Sequence, residues 1–161
     1  MPRADLFCKI VDNYGDAGIA WRLARALTQS HGFKTRLVVD DLSVLAALVP
    51  EISSTAPVQD MGGITVLRAA PSDPADLVVD VLAGTAPPDY LRAMAALARP
   101  PVWILYEYLS AEEWTAAYHL KPSPHPVLPL VQHFFYPGMR EGTGGILKPI
   151  DPLSVCGYAA E

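Results

Sequence analysis

The chain has 161 residues, of which 51% are hydrophobic and 18% are charged. This length is typical of one domain, and the apolar content is sufficient for a buried core. The formal net charge of -5 argues against a nucleic-acid-binding protein, because such proteins bind the phosphate backbone mainly through cations. The apolar runs are strand-sized and the N-terminus lacks the pattern of a signal peptide, so we expect a cytoplasmic protein without a membrane span.

Strands and helices alternate along the sequence. The predicted strands are 6–11, 35–39, 64–67, 77–82, 102–106 and 132–136. The predicted helices are one that starts near Gly18 and stops at Gly32, one over 42–49, one over 88–98, and one that begins at a capping box of Ser110 and Glu113. We expect 51–63 to be a loop. This alternation predicts an α/β fold with a Rossmann-like parallel sheet and helices on both faces.

The first strand leads into a short acidic stretch. Asp12 and Asp16 lie four residues apart, and Gly15 and Gly18 are expected to let the backbone turn sharply and a ligand approach closely. In open α/β sheets ligands bind where such loops leave the carboxyl ends of the strands. Two structural alternatives remain open at this point: Asp16 as the N-cap of the following helix, and Asp12 as the start of an Asx-turn.

Several common sites are not predicted. The first loop lacks the G-x-G-x-x-G pattern, and its two acids would repel a pyrophosphate, which argues against a dinucleotide cofactor. The two cysteines and four histidines have no metal-ligand spacing. The pair Asp40-Asp41 is interpreted as a strand end and a helix N-cap, so we expect no metal.

Glu107 follows the strand 102–106 directly. Because the carboxyl ends of parallel strands meet at one edge, we expect Glu107 and the Ser110 capping box to lie beside the acidic first loop. A role in helix capping or on the surface is the alternative for Glu107.

Several uncommon strings occur together in this order, and with them residues 4–147 resemble the protein-arginine rhamnosyltransferase family, which modifies an arginine of translation elongation factor P. The matching segments are 11–16, 21–25, 39–42, 107–112, 122–126, 134–138 and 143–145.

The resemblance implies an inverting GT-B glycosyltransferase, in which two Rossmann-like domains face each other across a cleft. The donor would be dTDP-rhamnose, and no metal would be required. Residues 1–147 would form the acceptor-binding N-terminal domain, while a second domain would hold most contacts to the donor. The family's catalytic aspartates correspond to Asp16, the stronger candidate for the general base, and Asp12.

The other residues assigned to substrate binding are Asn13, Tyr14, Gly15, Gly18 and Glu107. Two acids on one loop suit an arginine acceptor, because a guanidinium needs both a carboxylate grip and a proton acceptor.

The chain departs from the family pattern at three places. Asp80 stands where a Glu is usual, and 82–84 replaces a more aromatic run. Residues 148–161 form a divergent tail where the linker to a second domain would begin. The alternative function is a non-catalytic single-domain module that binds the elongation factor.

Overall fold

The structure, a computed structural model, describes residues 1–147. The tail expected at 148–161 lies outside these residues. The strands are β1 (Arg3–Cys8), β2 (Lys34–Val39), β3 (Val58–Met61), β4 (Ile64–Leu67), β5 (Leu77–Val81), β6 (Val102–Tyr106), β7 (Pro122–Pro124) and β8 (Val131–Phe135). The helices are α1 (Asn13–Arg25), which continues as a π-helical turn (Ala26–Ser30), α2 (Leu42–Leu48), α3 (Pro88–Ala95) and α4 (Trp114–Tyr118).

One eight-stranded sheet contains all of these strands, in the order β3-β4-β2-β1-β5-β6-β8-β7. The six inner strands are parallel, as the alternating pattern predicts. β1 pairs with β2 on one side and with β5 on the other, so the chain reverses its direction of travel across the sheet at β1. The carboxyl end of β1 is therefore the topological switch point, where open α/β sheets bind ligands.

Apolar side chains cover both faces of the sheet. Leu6 and Val79 pack in a cluster with α1 and α2 on one face. Their neighbours Phe7 and Val78 point to the other face and pack with α3. Full burial of each such side chain contributes about 1.5–3 kcal/mol to folding. The predicted α/β class with helices on both faces is confirmed.

The two edge strands were not predicted, and both are antiparallel to their neighbours. β3 lies in the stretch expected to be a loop and turns into β4 through Gly62 and Gly63, which have φ of 62° and 85°. β7 has only three residues, two of them proline, which is tolerated at an edge because one side of the strand needs no hydrogen-bond partner. Polar or proline-rich edge strands lack the apolar pattern on which the prediction depended.

Several element boundaries were wrong, among them the end of β1 and the start of α4. β1 ends at Cys8 instead of residue 11. The helix expected from Ser110 begins only at Trp114, because the Ser110 Oγ instead accepts the Glu112 N–H at 3.1 Å and forms a local turn. Glu113 then stands at the N-cap without a capping side-chain hydrogen bond. Within residues 1–147, no helix is long and apolar enough to cross a bilayer.

Candidate functional site

The acidic stretch after β1 is helical rather than a glycine loop, which corrects the prediction. α1 begins at Asn13, so Gly15 and Gly18 lie inside the helix, and neither has a positive φ. Gly15 instead provides room: a Cβ there would lie 3.1 Å from Oδ2 of Asp12. At Gly18 a Cβ would make ordinary contact with Leu48, at 3.8 Å. The small residues therefore serve close packing at the start of α1.

Asp16 is in the first turn of α1 and is almost completely buried, at 1% exposure. Its Oδ2 accepts hydrogen bonds from the backbone N–H groups of Val11 and Asp12, both at 2.8 Å. The predicted N-cap role of Asp16 is therefore wrong, because the N-cap residue is Asp12. Asp16 nevertheless does what a capping residue does, since it accepts hydrogen bonds from backbone N–H groups at the start of the helix. These two hydrogen bonds hold the connection from β1 to α1 in place. The other carboxylate oxygen, Oδ1, takes part in neither of them.

Asp12 occupies the N-cap position of α1 and is exposed. Its side chain makes no capping hydrogen bond, so the Asx-turn alternative does not describe it. Tyr14, two residues further on, is also exposed. The Asp12 carboxylate therefore stands at the positive end of the helix dipole, where negative charge is stabilised and a ligand can reach it.

The loop after β6 lies beside this turn, as expected from the shared carboxyl edge. The Tyr108 hydroxyl donates a hydrogen bond to Asp16 Oδ1 at 3.3 Å, across the strand β5 that separates β1 from β6. Burial, and then the negative charge of Asp16, raises the pKa of Tyr108; Asp12 and Glu107 add smaller contributions in the same direction. The Tyr108 hydroxyl therefore lies in a negatively charged environment, in contact with Asp16.

Sequence reasoning missed Tyr108, although the signal was present. Tyr108 follows Glu107 at the end of a buried strand, so the same edge argument applies to it. Within the described part of the chain, Asp12, Asp16 and Glu107 make no ion pair with lysine or arginine. These carboxylates, of which Asp12 is exposed and Asp16 buried, therefore have no ion-pair partner among residues 1–147.

Neighbouring polar groups stabilise this edge. Asp40 Oδ1 accepts the Ile10 N–H at 2.9 Å and so fixes the chain after β1. Asp41 caps α2 by accepting the Ser43 N–H at 2.9 Å, which confirms the helix-cap interpretation. Cys8 is buried under Asp16, and burial, with the charges of Asp16 and Asp40, raises the pKa of its thiol to about 12. A neutral thiol of this kind is not a nucleophile.

Asp80, in β5, is buried on the face of the sheet that packs against α3. Its carboxylate accepts hydrogen bonds from the Ala86 N–H, the Trp103 indole and the Gln132 amide at 2.8, 3.0 and 2.8 Å. Burial still raises the pKa of Asp80 to about 6. Asp80 therefore ties β5 to β6 and β8. No cluster of metal-ligating residues occurs among residues 1–147.

Comparison with known proteins identifies the family of this chain. Residues 4–153 match the family model described as elongation factor P (EF-P) rhamnosyltransferase EarP. A protein-arginine rhamnosyltransferase from Pseudomonas putida is 45% identical over 148 residues, which are 89% of this chain and 39% of that protein. One from Neisseria meningitidis is 37% identical over 91% of this chain and 38% of its own length. One from Shewanella oneidensis is 33% identical over 89% of this chain and 38% of its own length.

These matches cover nearly all of the described residues, including the acidic turn and the loop after β6. The chain spans about 39% of the length of the Pseudomonas relative that it matches. It belongs to the EarP family of EF-P rhamnosyltransferases.

Proposed function

We propose that this chain provides the acceptor-binding part of a protein-arginine rhamnosyltransferase, together with its catalytic aspartates. The acceptor is an arginine side chain of elongation factor P, the donor is dTDP-rhamnose, and the location is cytoplasmic. The carboxylate cluster of Asp12, Asp16 and Glu107, without an internal cation, carries this proposal. A guanidinium supplies the missing positive charge and presents several N–H groups in a planar fork.

Asp12 and Asp16 have different roles because their surroundings differ. Asp12 is exposed at the start of α1 and grips the guanidinium from the solvent side. Asp16 has one oxygen fixed by two backbone donors, so Oδ1 is the oxygen that accepts a substrate proton. The Tyr108 hydroxyl holds this position in the free protein and gives way to an arginine N–H.

The chemical step is a single displacement with inversion. A terminal nitrogen of the arginine forms a bond to the anomeric carbon of rhamnose while the bond from that carbon to the phosphate oxygen breaks. The proton leaves the nitrogen for Asp16, and dTDP leaves with the electron pair of the broken bond. Glu107, Tyr14 and the start of α1 at Asn13 line the approach to the reacting nitrogen, and no metal is needed to accept the proton.

A chimera tests the proposal, with residues 1–147 of this chain replacing the matching part of the Pseudomonas putida relative. Incubated with EF-P and dTDP-rhamnose, it is expected to add one deoxyhexose to EF-P, as measured by intact mass. Asp16→Asn lowers the rate at least about 100-fold, the usual effect of losing an acid-base group. The folding cost is small, because the asparagine oxygen still accepts the two backbone N–H groups while its amide donates to Tyr108.

The matched control is Asp89→Asn, which removes an exposed carboxylate from α3 and leaves transfer unchanged. Transfer by the Asp16→Asn chimera at a rate near that of the parent would contradict the catalytic assignment. Binding of EF-P by a chimera that adds no sugar would instead support a non-catalytic docking module.

A further inference from the structure

The two carboxylate oxygens of Asp16 have different hydrogen-bond partners. Oδ2 accepts the backbone N–H groups of Val11 and Asp12, each at 2.8 Å. Oδ1 accepts the Tyr108 hydroxyl at 3.3 Å, which is its one partner among residues 1–147. A carboxylate oxygen on a residue that is 1% exposed is costly to leave without a donor, and the hydroxyl removes this cost in the free protein. Tyr108 therefore occupies the oxygen that the proposed function assigns to the substrate.

The hydrogen bond from Tyr108 to Asp16 is one that a ligand can replace. Its length of 3.3 Å exceeds the usual value of about 2.7–2.8 Å for an O–H donor, so it is weak for a bond to a carboxylate. Tyr108 is 47% exposed, so a displaced hydroxyl reaches water and is not left without a partner. Burial, and then the charge of Asp16, raises the pKa of Tyr108, so the hydroxyl keeps its proton and remains a donor at neutral pH.

The backbone on both sides of Tyr108 is held in place independently of this hydrogen bond. The Glu107 N–H donates to the Phe135 carbonyl at 2.9 Å, and the Ser110 N–H donates to the Pro137 carbonyl at 3.3 Å. The Tyr108 side chain can therefore leave Oδ1 by rotation about its own bonds while the loop after β6 keeps its backbone position.

We propose that Tyr108 is an internal competitor for the guanidinium site: its hydroxyl occupies Oδ1 of Asp16, and a ligand that reaches this oxygen must displace it with an N–H donor of its own. This inference rests on the proposed function and adds to it a control on the occupancy of the same site. Tyr108 acts through Asp16 and is a positioning residue. It weakens guanidinium binding, in contrast to the exposed Asp12, which strengthens it.

The test titrates methylguanidinium chloride into this full chain at constant ionic strength and follows binding by NMR. Tyr108→Phe keeps the ring and removes the hydroxyl, so the affinity is expected to rise by roughly tenfold, the equivalent of one hydrogen bond to a charged group that no longer has to be displaced. A merely structural role of Tyr108 does not produce tighter binding. Tyr118→Phe is the matched control with unchanged affinity, because Tyr118 is similarly exposed, at 48%, but lies in α4.

A second probe separates hydrogen bonding from charge. Tetramethylammonium carries a positive charge but no N–H group, so it cannot take the place of the hydroxyl, and we expect it to bind the unmodified chain and Tyr108→Phe equally. Equal tightening of both probes would mean that the loss of the hydroxyl only opens the site, and the inference would be wrong. Circular dichroism verifies that Tyr108→Phe is folded, and if it is not, Tyr108→Leu decides.

Equal affinity of the unmodified chain and folded Tyr108→Phe for methylguanidinium would overturn the inference, and so would the failure of both to bind it. These outcomes are separate from the proposed function, which is measured as sugar transfer by the chimera and depends on Asp16. Loss of transfer in Asp16→Asn, together with unchanged methylguanidinium affinity in Tyr108→Phe, would retain the function and reject the competitor. Tighter methylguanidinium binding by Tyr108→Phe, together with a chimera that adds no sugar, would retain the competitor and reject the function.

Discussion

Two acidic clusters lie towards opposite ends of the parallel strands, and each contains one almost completely buried aspartate. Towards the amino ends, Asp5 is 0% exposed and forms a bidentate ion pair with Arg36, at 2.6 and 2.7 Å, with a further hydrogen bond from Tyr90. At the carboxyl edge Asp16 is 1% exposed and accepts only backbone N–H groups and the Tyr108 hydroxyl.

The two clusters differ in whether they contain their own counter-charge. Arg36 also bridges to Asp73, so the first cluster contains its own counter-charge and needs nothing from solution. The second cluster contains carboxylates whose partners among residues 1–147 are neutral, with Asp12 open to solvent. Under the proposed function, the guanidinium of the acceptor arginine supplies that charge.

Removing the charge at Asp5 gives the largest expected effect. Asp5→Asn places an amide against Arg36 and leaves the exposed carboxylate of Asp73 as its remaining ion-pair partner, so the free energy of unfolding is expected to fall by about 3 kcal/mol. Asp16→Asn, whose donors are backbone groups, costs less than about 1 kcal/mol. Urea unfolding of both variants measures the two values. An equal loss of unfolding free energy in the two variants would contradict the distinction between the clusters.

Asp80 is a third buried aspartate, and it forms no ion pair with a cation among residues 1–147. Its pKa rises from 3.8 in the unfolded chain to about 6 in the folded protein. In this window the folded state binds a proton that the unfolded chain has released, so the free energy of unfolding falls as the pH rises, by up to roughly 3 kcal/mol. The pKa values of Asp41 and Asp73 are lowered, so their contributions to the free energy of unfolding rise with pH instead.

Comparison with Asp80→Asn isolates this contribution, since the other carboxyl groups titrate in both proteins. Urea unfolding at several pH values from 4 to 7 should show that the advantage of the unmodified chain over the variant shrinks with rising pH. A difference that stays constant over this range would mean that Asp80 remains ionised in the folded protein.

The sequence predicted those parts of the molecule that depend on periodic burial. Leu6 and Val79 belong to apolar runs interrupted only by Lys9 and Asp80, and such runs are typical of parallel strands covered on both faces. The strand β3 was missed because it depends on pairing with β4. The start of α1 was missed because it depends on the Asp16 side chain, which accepts hydrogen bonds from the backbone of the preceding residues. Ser110 and Glu113 matched a capping box, but a local turn at Ser110 competed with it.

The candidate site was predictable as a location and not as a set of contacts. Asp12, Asp16 and Glu107 follow strands whose carboxyl ends share an edge, which is sufficient to predict that they meet. That Asp16 is buried and Asp12 exposed depends on how α1 packs, as does the contact with Tyr108 from a strand two places away. Contacts of this kind between distant segments carry no local pattern.

A double-mutant cycle between Asp12 and the target arginine of EF-P tests the central claim most directly. The affinity of this chain for EF-P is measured with and without Asp12→Ala, and for each with and without alanine in place of that arginine. If the carboxylate grips the guanidinium, the two changes are not additive, and the coupling energy is about 1–3 kcal/mol. A coupling energy near zero, with each single change still weakening binding, would show that the carboxyl-edge cluster does not hold the acceptor arginine.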